Sequence, residues 1–307
     1  MTTTHNCFLC AINSLMAQIL TYYKDISFMK NFVVFLLFSL SMVGVNYGQA
    51  LSEARNPIDA PFVNCGLSNI QVVYDHTIID PVLQETKYLK EILVIGDTAS
   101  IFQNLGMFEL NVVIDSIGLD NLTLAEYMAL SKKYRRGGSL SDFLVKYPVS
   151  HKILELGFID INRIYYYEPL PIMNWHVDSV TDSVCGYLCS RASTHFRGRN
   201  WIVWYAKDLK FQNGPWKLGG LPGLILRAQS EDGDHVFEAK SISCTPYKIL
   251  HTDTKPFQQT TRDKFYKARK RFKTNPSQSM SAGLIRRADG MPVEMKRRFY
   301  NPEEKNN

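Results

Sequence analysis

The chain has 307 residues, 45% of them hydrophobic and 21% charged, with a formal net charge of +6. That composition can bury a sizeable core and excludes a low-complexity or disordered polypeptide. The basic excess is local: residues 262–298 hold 12 Lys/Arg against only Asp263, Asp289 and Glu294.

The first distinctive segment is apolar. Residues 32–45 (FVVFLLFSLSMVGV) run for 14 residues, short of the roughly 20 that a membrane-spanning helix needs. Met29-Lys30-Asn31 precedes it and Gly48-Gln49-Ala50 follows it. A positive start, a short apolar stretch and a small-x-small triplet describe a secretion signal, so residues 29–50 are expected to be removed after about Ala50. Residues 1–28 then read as an over-extended gene model with Met29 as the start. Residues 51–275 are expected to form one β-rich domain, and residues 276–307 a C-terminal tail. Phe62-Val63-Asn64-Cys65 lacks the small residues that lipid attachment would want.

Residues 69–80 (NIQVVYDHTIID) and 86–95 (TKYLKEILVI) are β-branched and aromatic and read as strands. Thr123-Leu124-Ala125-Glu126 is a capping box. The helix it opens is expected to end at Gly137, with Lys132, Lys133, Arg135 and Arg136 filling its last turn. A short helix is expected over residues 140–147, ended by Pro148. Residues 158–168 read as one strand, and Trp175 to Val177 as an irregular approach to the best-patterned stretch.

That stretch carries strands at residues 184–196, 200–207, 224–230 and 235–244. Arg197-Gly198-Arg199 and Asp232-Gly233 serve as turns. Two hairpins in series argue for an antiparallel meander. The expected fold is therefore β-rich α+β: a single antiparallel, strongly twisted sheet, curved or half-barrel-like, with a mid-chain helix and a basic C-terminal helix. In Trp201-Ile202-Val203-Trp204-Tyr205 both faces are apolar or aromatic. Trp201, Val203 and Tyr205 are either covered by another element or line a ligand-binding concavity.

The C-terminal helix opens near Thr260-Thr261, with Phe265, Ala268 and Phe272 as a narrow apolar stripe and basic residues on the rest. It is either a solvated face or a peripheral contact for an anionic partner. Residues 277–289 read as a linker. Four cysteines remain after processing: Cys65, Cys185, Cys189 and Cys244. An even number in an oxidising compartment suggests one or two disulfides, in any of three connectivities. Cys185 and Cys189 share a strand face and are too far apart to pair with each other while extended.

The loop over residues 214–226 (GPWKLGGLPGLIL) is too apolar to be a flexible tip. Pro222-Gly223 suits the centre of a type II turn, with glycine at φ > 0. Leu221 and Leu224 flank that turn, and Gly219-Gly220 lets backbone pass close to the Trp216 ring. A phosphate loop is excluded, because Lys-Ser/Thr does not follow its last glycine.

Gly220-Leu221-Pro222-Gly223-Leu224-Ile225 resembles the signature of the GLPGLI family. Gly186-Tyr187-Leu188-Cys189-Ser190-Arg191-Ala192 is similar to its G-Y-x-C-x-K-A strand, with Arg191 for Lys. Phe196-Arg197-Gly198-Arg199, Trp204-Tyr205 and Gly214-Pro215-Trp216-Lys217 resemble its F-x-G-R, W-Y and G-P-W-K elements. Asn301-Pro302-Glu303 resembles its N-P-x-E, with the acid one place early. Leu209-Lys210 stands where the family has I-P. The likeness is tight over residues 175–240. It implies an exported protein of the kind found mostly in Bacteroidota, with no established activity and no catalytic residues to carry over.

After Ala50 no H-E-x-x-H, G-x-S-x-G, C-x-x-C or EF-hand loop is present. Cys185, Cys189 and His195 fit no closed zinc site, and no Cys–His pair stands out as a nucleophile. Glu231, Asp232 and Asp234 read as solvated turn residues or a weak calcium site. Asp160, Glu168 and Asp178 offer only a generic glycosidase pair. No cofactor, metal or nucleic-acid partner is expected. The reading is a non-catalytic envelope module binding a protein, glycan or small ligand. The alternative is a secreted hydrolase with a cleft at His176, His195 or an acid pair.

Overall fold

The computed structural model describes residues 62–134, 142–160, 162–278, 291 and 295–305. The signal-like segment, the helix stop at Gly137 and most of the expected linker lie outside the described residues. No helix among the described residues is long and apolar enough to cross a membrane. Among the described residues, Asp120–Met128 belong to a smaller unit and the remainder to a larger one.

In the smaller unit the capping box forms as its sequence predicts. The Thr123 hydroxyl accepts from the Glu126 N–H at 3.3 Å, and the Glu126 carboxylate accepts from the Thr123 N–H at 2.9 Å. The helix begun there, Leu124–Tyr134, follows an earlier helix, Leu105–Ile117, that no cap motif announced. In chain order these are α2 and α1.

The larger unit is a sheet of 13 strands. Its first half holds β1 (Phe62–Asp80), β2 (Glu85–Gly96), β3 (Ser100–Asn104), β4 (Phe143–Tyr147), β5 (Lys152–Ile159) and β6 (Asn162–Pro169). The second holds β7 (His176–Val184), β8 (Tyr187–Phe196), β9 (Arg199–Ala206), β10 (Leu224–Ser230), β11 (His235–Ser243), β12 (Lys248–Thr252) and β13 (Gln258–Gln259). The order is β13-β6-β5-β4-β3-β2-β1-β11-β10-β9-β8-β7, with β12 on the early part of β1. Two meanders thus meet at the β1–β11 pair, and the sheet does not close.

The sheet is mixed, which corrects the expectation of a purely antiparallel one. β13 runs parallel to β6, pairing Gln258 with Ile164 and Gln259 with Tyr165. The chain leaving β12 reaches the free edge of β6 travelling in the β6 direction, just before α3 (Arg262–Thr274) begins.

Four further expectations change. Residues 143–147 are a strand between β3 and β5, not part of a helix. A short central strand whose first four residues are all buried lacks the alternation that would have identified it. The expected strand at 158–168 is two, turning at Asp160 with φ 61°. β7 is a mostly exposed edge strand, so its sequence carries little apolar patterning. The four cysteines are free. Cys185 and Gly186 form a left-handed turn at φ 50° and 82°, while Cys189 points into the core from the following strand. Cys244 follows the β1–β11 pair Gln71–Ser243, several residues along the sheet from Cys65. Burial pushes the Cys189 thiol up to about 11.

Trp201, Val203 and Tyr205 are core residues, each at most 1% exposed, and not a ligand face. They lie beneath Trp216 and Phe237, with Trp201 5.6 Å from the Trp216 ring and 6.2 Å from the Phe237 ring. The other face of β9, with Ile202 and Trp204, is half-buried.

Candidate ligand site

The GLPGLI corner directs the interior. Its turn is tighter than expected: the Gly223 N–H donates to the Leu221 carbonyl at 2.8 Å, closing three residues around Pro222. Gly223 is not in the left-handed region; Gly220 (φ 85°) and Trp216 (φ 49°) are. Glycine is needed at 223 for clearance. A Cβ there would overlap the Ala206 carbonyl, lying 2.8 Å from its carbon and 3.1 Å from Lys207 Cα. Leu221 and Leu224 are buried beside it, and Trp175 Nε1 donates to the Gly219 carbonyl at 3.0 Å. Lys146 of β4 ties the loop down through Asn213 Oδ1 and the Gly214 and Leu218 carbonyls at 2.8, 3.0 and 2.8 Å.

The left-handed Trp216 turns Lys217 inward, where it is 2% exposed. Its ammonium lies 2.6 Å from Glu168, 3.0 Å from Glu155 and 2.8 Å from the Tyr166 hydroxyl, and it pairs with Glu304. Arg262 and Arg269 of α3 and Arg197 complete the cluster, on Glu304, Glu155 and Glu168 respectively. Burial by itself would raise the Glu155 carboxyl; Lys217 and Arg269 more than offset this and hold it at about 2. Part of the basic helix is therefore spent internally. Phe265 and Tyr266 are its buried residues, with Ala268 and Phe272 packed partly against them.

This cluster fastens residues 297–305 across the sheet. Glu304, and not its neighbour Glu303, is the acid that joins this cluster. Arg199, the last residue of the F-x-G-R element and 3% exposed, donates to Asn301 Oδ1 at 2.6 Å and to the Pro302 carbonyl at 3.0 Å. Asp232 and Asp234 grip the same guanidinium at 2.6 and 3.3 Å, so these turn acids are structural. Asp80 holds Arg297 at 2.7 Å and accepts from the Tyr300 N–H at 2.8 Å. Three separated sequence motifs thus converge on one tail.

Between tail and sheet lies a cavity of about 250 Å³. Trp216, Phe102 and Phe299 supply apolar walls, and Glu91, Glu303 and Arg269 polar ones. Asn104 also lines it. Its Oδ1 caps α1 by accepting from the Gly106 N–H at 2.9 Å, while its Nδ2 is buried without a partner. A buried donor left unpaired is uncommon in folded proteins. Burial raises the Glu303 carboxyl above the usual carboxylate range, with Glu91 adding to the effect and His76 opposing it.

Beside Glu91 and Glu303 sit two fully buried imidazoles. His76 Nδ1 is 2.8 Å from Glu91 Oε2, and His76 Nε2 is 3.1 Å from His235 Nδ1. Phe237 stacks on His76 at 3.7 Å between ring centroids. Burial, then His76 and Arg199, push His235 well below the ordinary imidazole range, although the Pro302 backbone favours its charged form. No sequence motif marked these residues; they are 159 positions apart and become neighbours only through the β1–β11 register.

The expected catalytic candidates lie elsewhere. His176, His195, Asp178 and Glu231 share an open depression on the β7–β9 edge. Three of them are already engaged: Asp178 with Arg191 at 2.7 Å, Glu231 with Asn200 at 2.7 Å, and His195 with Asn200 at 2.7 Å. Glu168 belongs to the Lys217 cluster.

Compared with known proteins, the chain matches no family model and no curated protein. Two solved structures of PNGF-II, in different crystal forms, are each 16% identical to it. They cover 66% of this chain and 33% and 32% of their own, with TM-scores of 0.44 and 0.43. The chain therefore spans about a third of the PNGF-II length, and a likeness this weak carries no argument about function.

Proposed function

We propose that this is an exported, GLPGLI-like binding module of the cell envelope, and that the cavity under its C-terminal tail holds a small hydroxyl-rich ligand of saccharide type. The observation that carries the reading is the unpartnered Asn104 Nδ2 in a cavity that also offers carboxylate acceptors and aromatic walls. Hydroxyl groups would donate to Glu91 and Glu303, a ring or hydroxyl oxygen would accept from Asn104, and the apolar sugar face would rest on Trp216 or Phe102.

Calorimetry of the processed, metal-free protein against neutral mono- and disaccharides tests this. Binding is expected, and Asn104→Asp should abolish it while keeping the helix-cap acceptor. Failure of every sugar to bind, or equal binding by that variant, would overturn the assignment. N-terminal sequencing of the exported protein checks processing near Ala50.

A further inference from the structure

We propose that His76, His235 and Glu303 form a site for one divalent transition-metal ion, with Glu91 as the outer carboxylate that orients His76. One ligand atom from each of His76, His235 and Glu303 lies within 4.8 Å of the others, and His76 Nε2 faces His235 Nδ1. Tetrahedral zinc with bonds of about 2.0–2.1 Å sets its ligand atoms about 3.3 Å apart. The two imidazole nitrogens already stand 3.1 Å apart. Closing the third side needs a carboxylate shift of at most about 1.5 Å to reach that tetrahedral spacing.

The tautomers agree with this use. Glu91 accepts from His76 Nδ1–H, which leaves the Nε2 lone pair pointing at His235. A carboxylate behind a metal-binding histidine is the usual outer-shell arrangement. His235 Nε2 faces away and is buried without a hydrogen bond of good geometry, so it can carry the proton and free Nδ1 for the metal. Two carboxylates balance a dication, and the nearby Arg199 is already neutralised by Asp232 and Asp234. Phe237 and Trp201 pack against the imidazoles and keep that side dry. Three protein ligands leave a fourth position for water or a ligand group, and Glu91 and Glu303 lie on the cavity wall.

The inference is independent of the saccharide reading, because sugar binding is measured without metal. Zinc titration of the chelator-treated full protein against a chromophoric chelator should give one ion per chain. Cobalt(II) should give visible d–d bands without thiolate charge-transfer bands. Glu303→Gln and Glu91→Gln should each weaken zinc binding ten- to a hundredfold with unchanged circular dichroism. His235→Gln should remove it; if that variant fails to fold, the two glutamate variants still decide. Folded protein that takes up no zinc would sink the site. So would binding unchanged in Glu303→Gln, or binding lost on thiol blocking with thiolate bands present, which would assign the ion to the cysteines.

Discussion

Glu303 and Glu304 are neighbours in the chain, yet they enter opposite kinds of environment. Glu304 is fully buried among Lys217 and Arg262, and its charge is matched on every side. Glu303 is half-buried beside Glu91 and two imidazoles, on the wall of a cavity. The first arrangement is a lock, in which paired charges specify where the tail lies. The second keeps coordinating and hydrogen-bonding capacity in reserve. A tail positioned by one residue can present the next with the precision a binding site needs.

The contrast is broken most directly at Lys217. Lys217→Met leaves Glu155, Glu168 and Glu304 facing one another, and removing one partner of a buried ionic cluster costs about 3–5 kcal/mol. A urea melt that moves by less than about 1 kcal/mol would show that the lock is not structural.

Acid should open the same lock. The Glu155 carboxyl is held at about 2, below its ordinary 4.5. A depressed carboxylate contributes stability that is complete above the unfolded value and is lost as pH falls through the folded one. Tail protection in hydrogen exchange should therefore fall between about pH 4.5 and pH 2. Protection that stays constant through that window would detach the tail from the cluster.

At the corner that feeds Lys217, Gly223→Ala must push against the Ala206 carbonyl. A loss of about 1–3 kcal/mol is expected, as for other overpacking changes, and a thermal melt reads it. Glu303→Gln should change stability by less than about 1 kcal/mol, because no charge partner is lost in a lock. A larger loss would mean that both glutamates are structural and would erase the comparison. The smallest effect concerns the cysteines: thiol titration of unfolded, never-reduced protein should return all four described thiols.

Much of the sheet was legible because period-two alternation survives wherever one strand face meets the core and the other meets polar surroundings. β10 occupies its predicted residues, and β2, β8, β9 and β11 differ from theirs by a few at the ends. Alternation vanishes in β4, buried on both faces, and in the largely exposed β7, so neither could be read. Gly223 was recognisable as indispensable, but its reason was not: the approach of the Ala206 carbonyl comes from a separate strand.

By itself, the amino-acid order determined the apolar leader-like segment, the capping box at Thr123, the Leu224–Ser230 strand and the spacing of the G-P-W-K, GLPGLI and N-P-x-E elements. Those are local matters of periodicity, turn chemistry and composition. Only the tertiary structure decided that Lys217 reaches Glu304, that Arg199 holds Asn301, and that His76 meets His235. Those pairs depend on the register between strands and on where a tail crosses them. Charge attraction and metal-ligand geometry act over a few ångströms of space, whatever the distance along the chain.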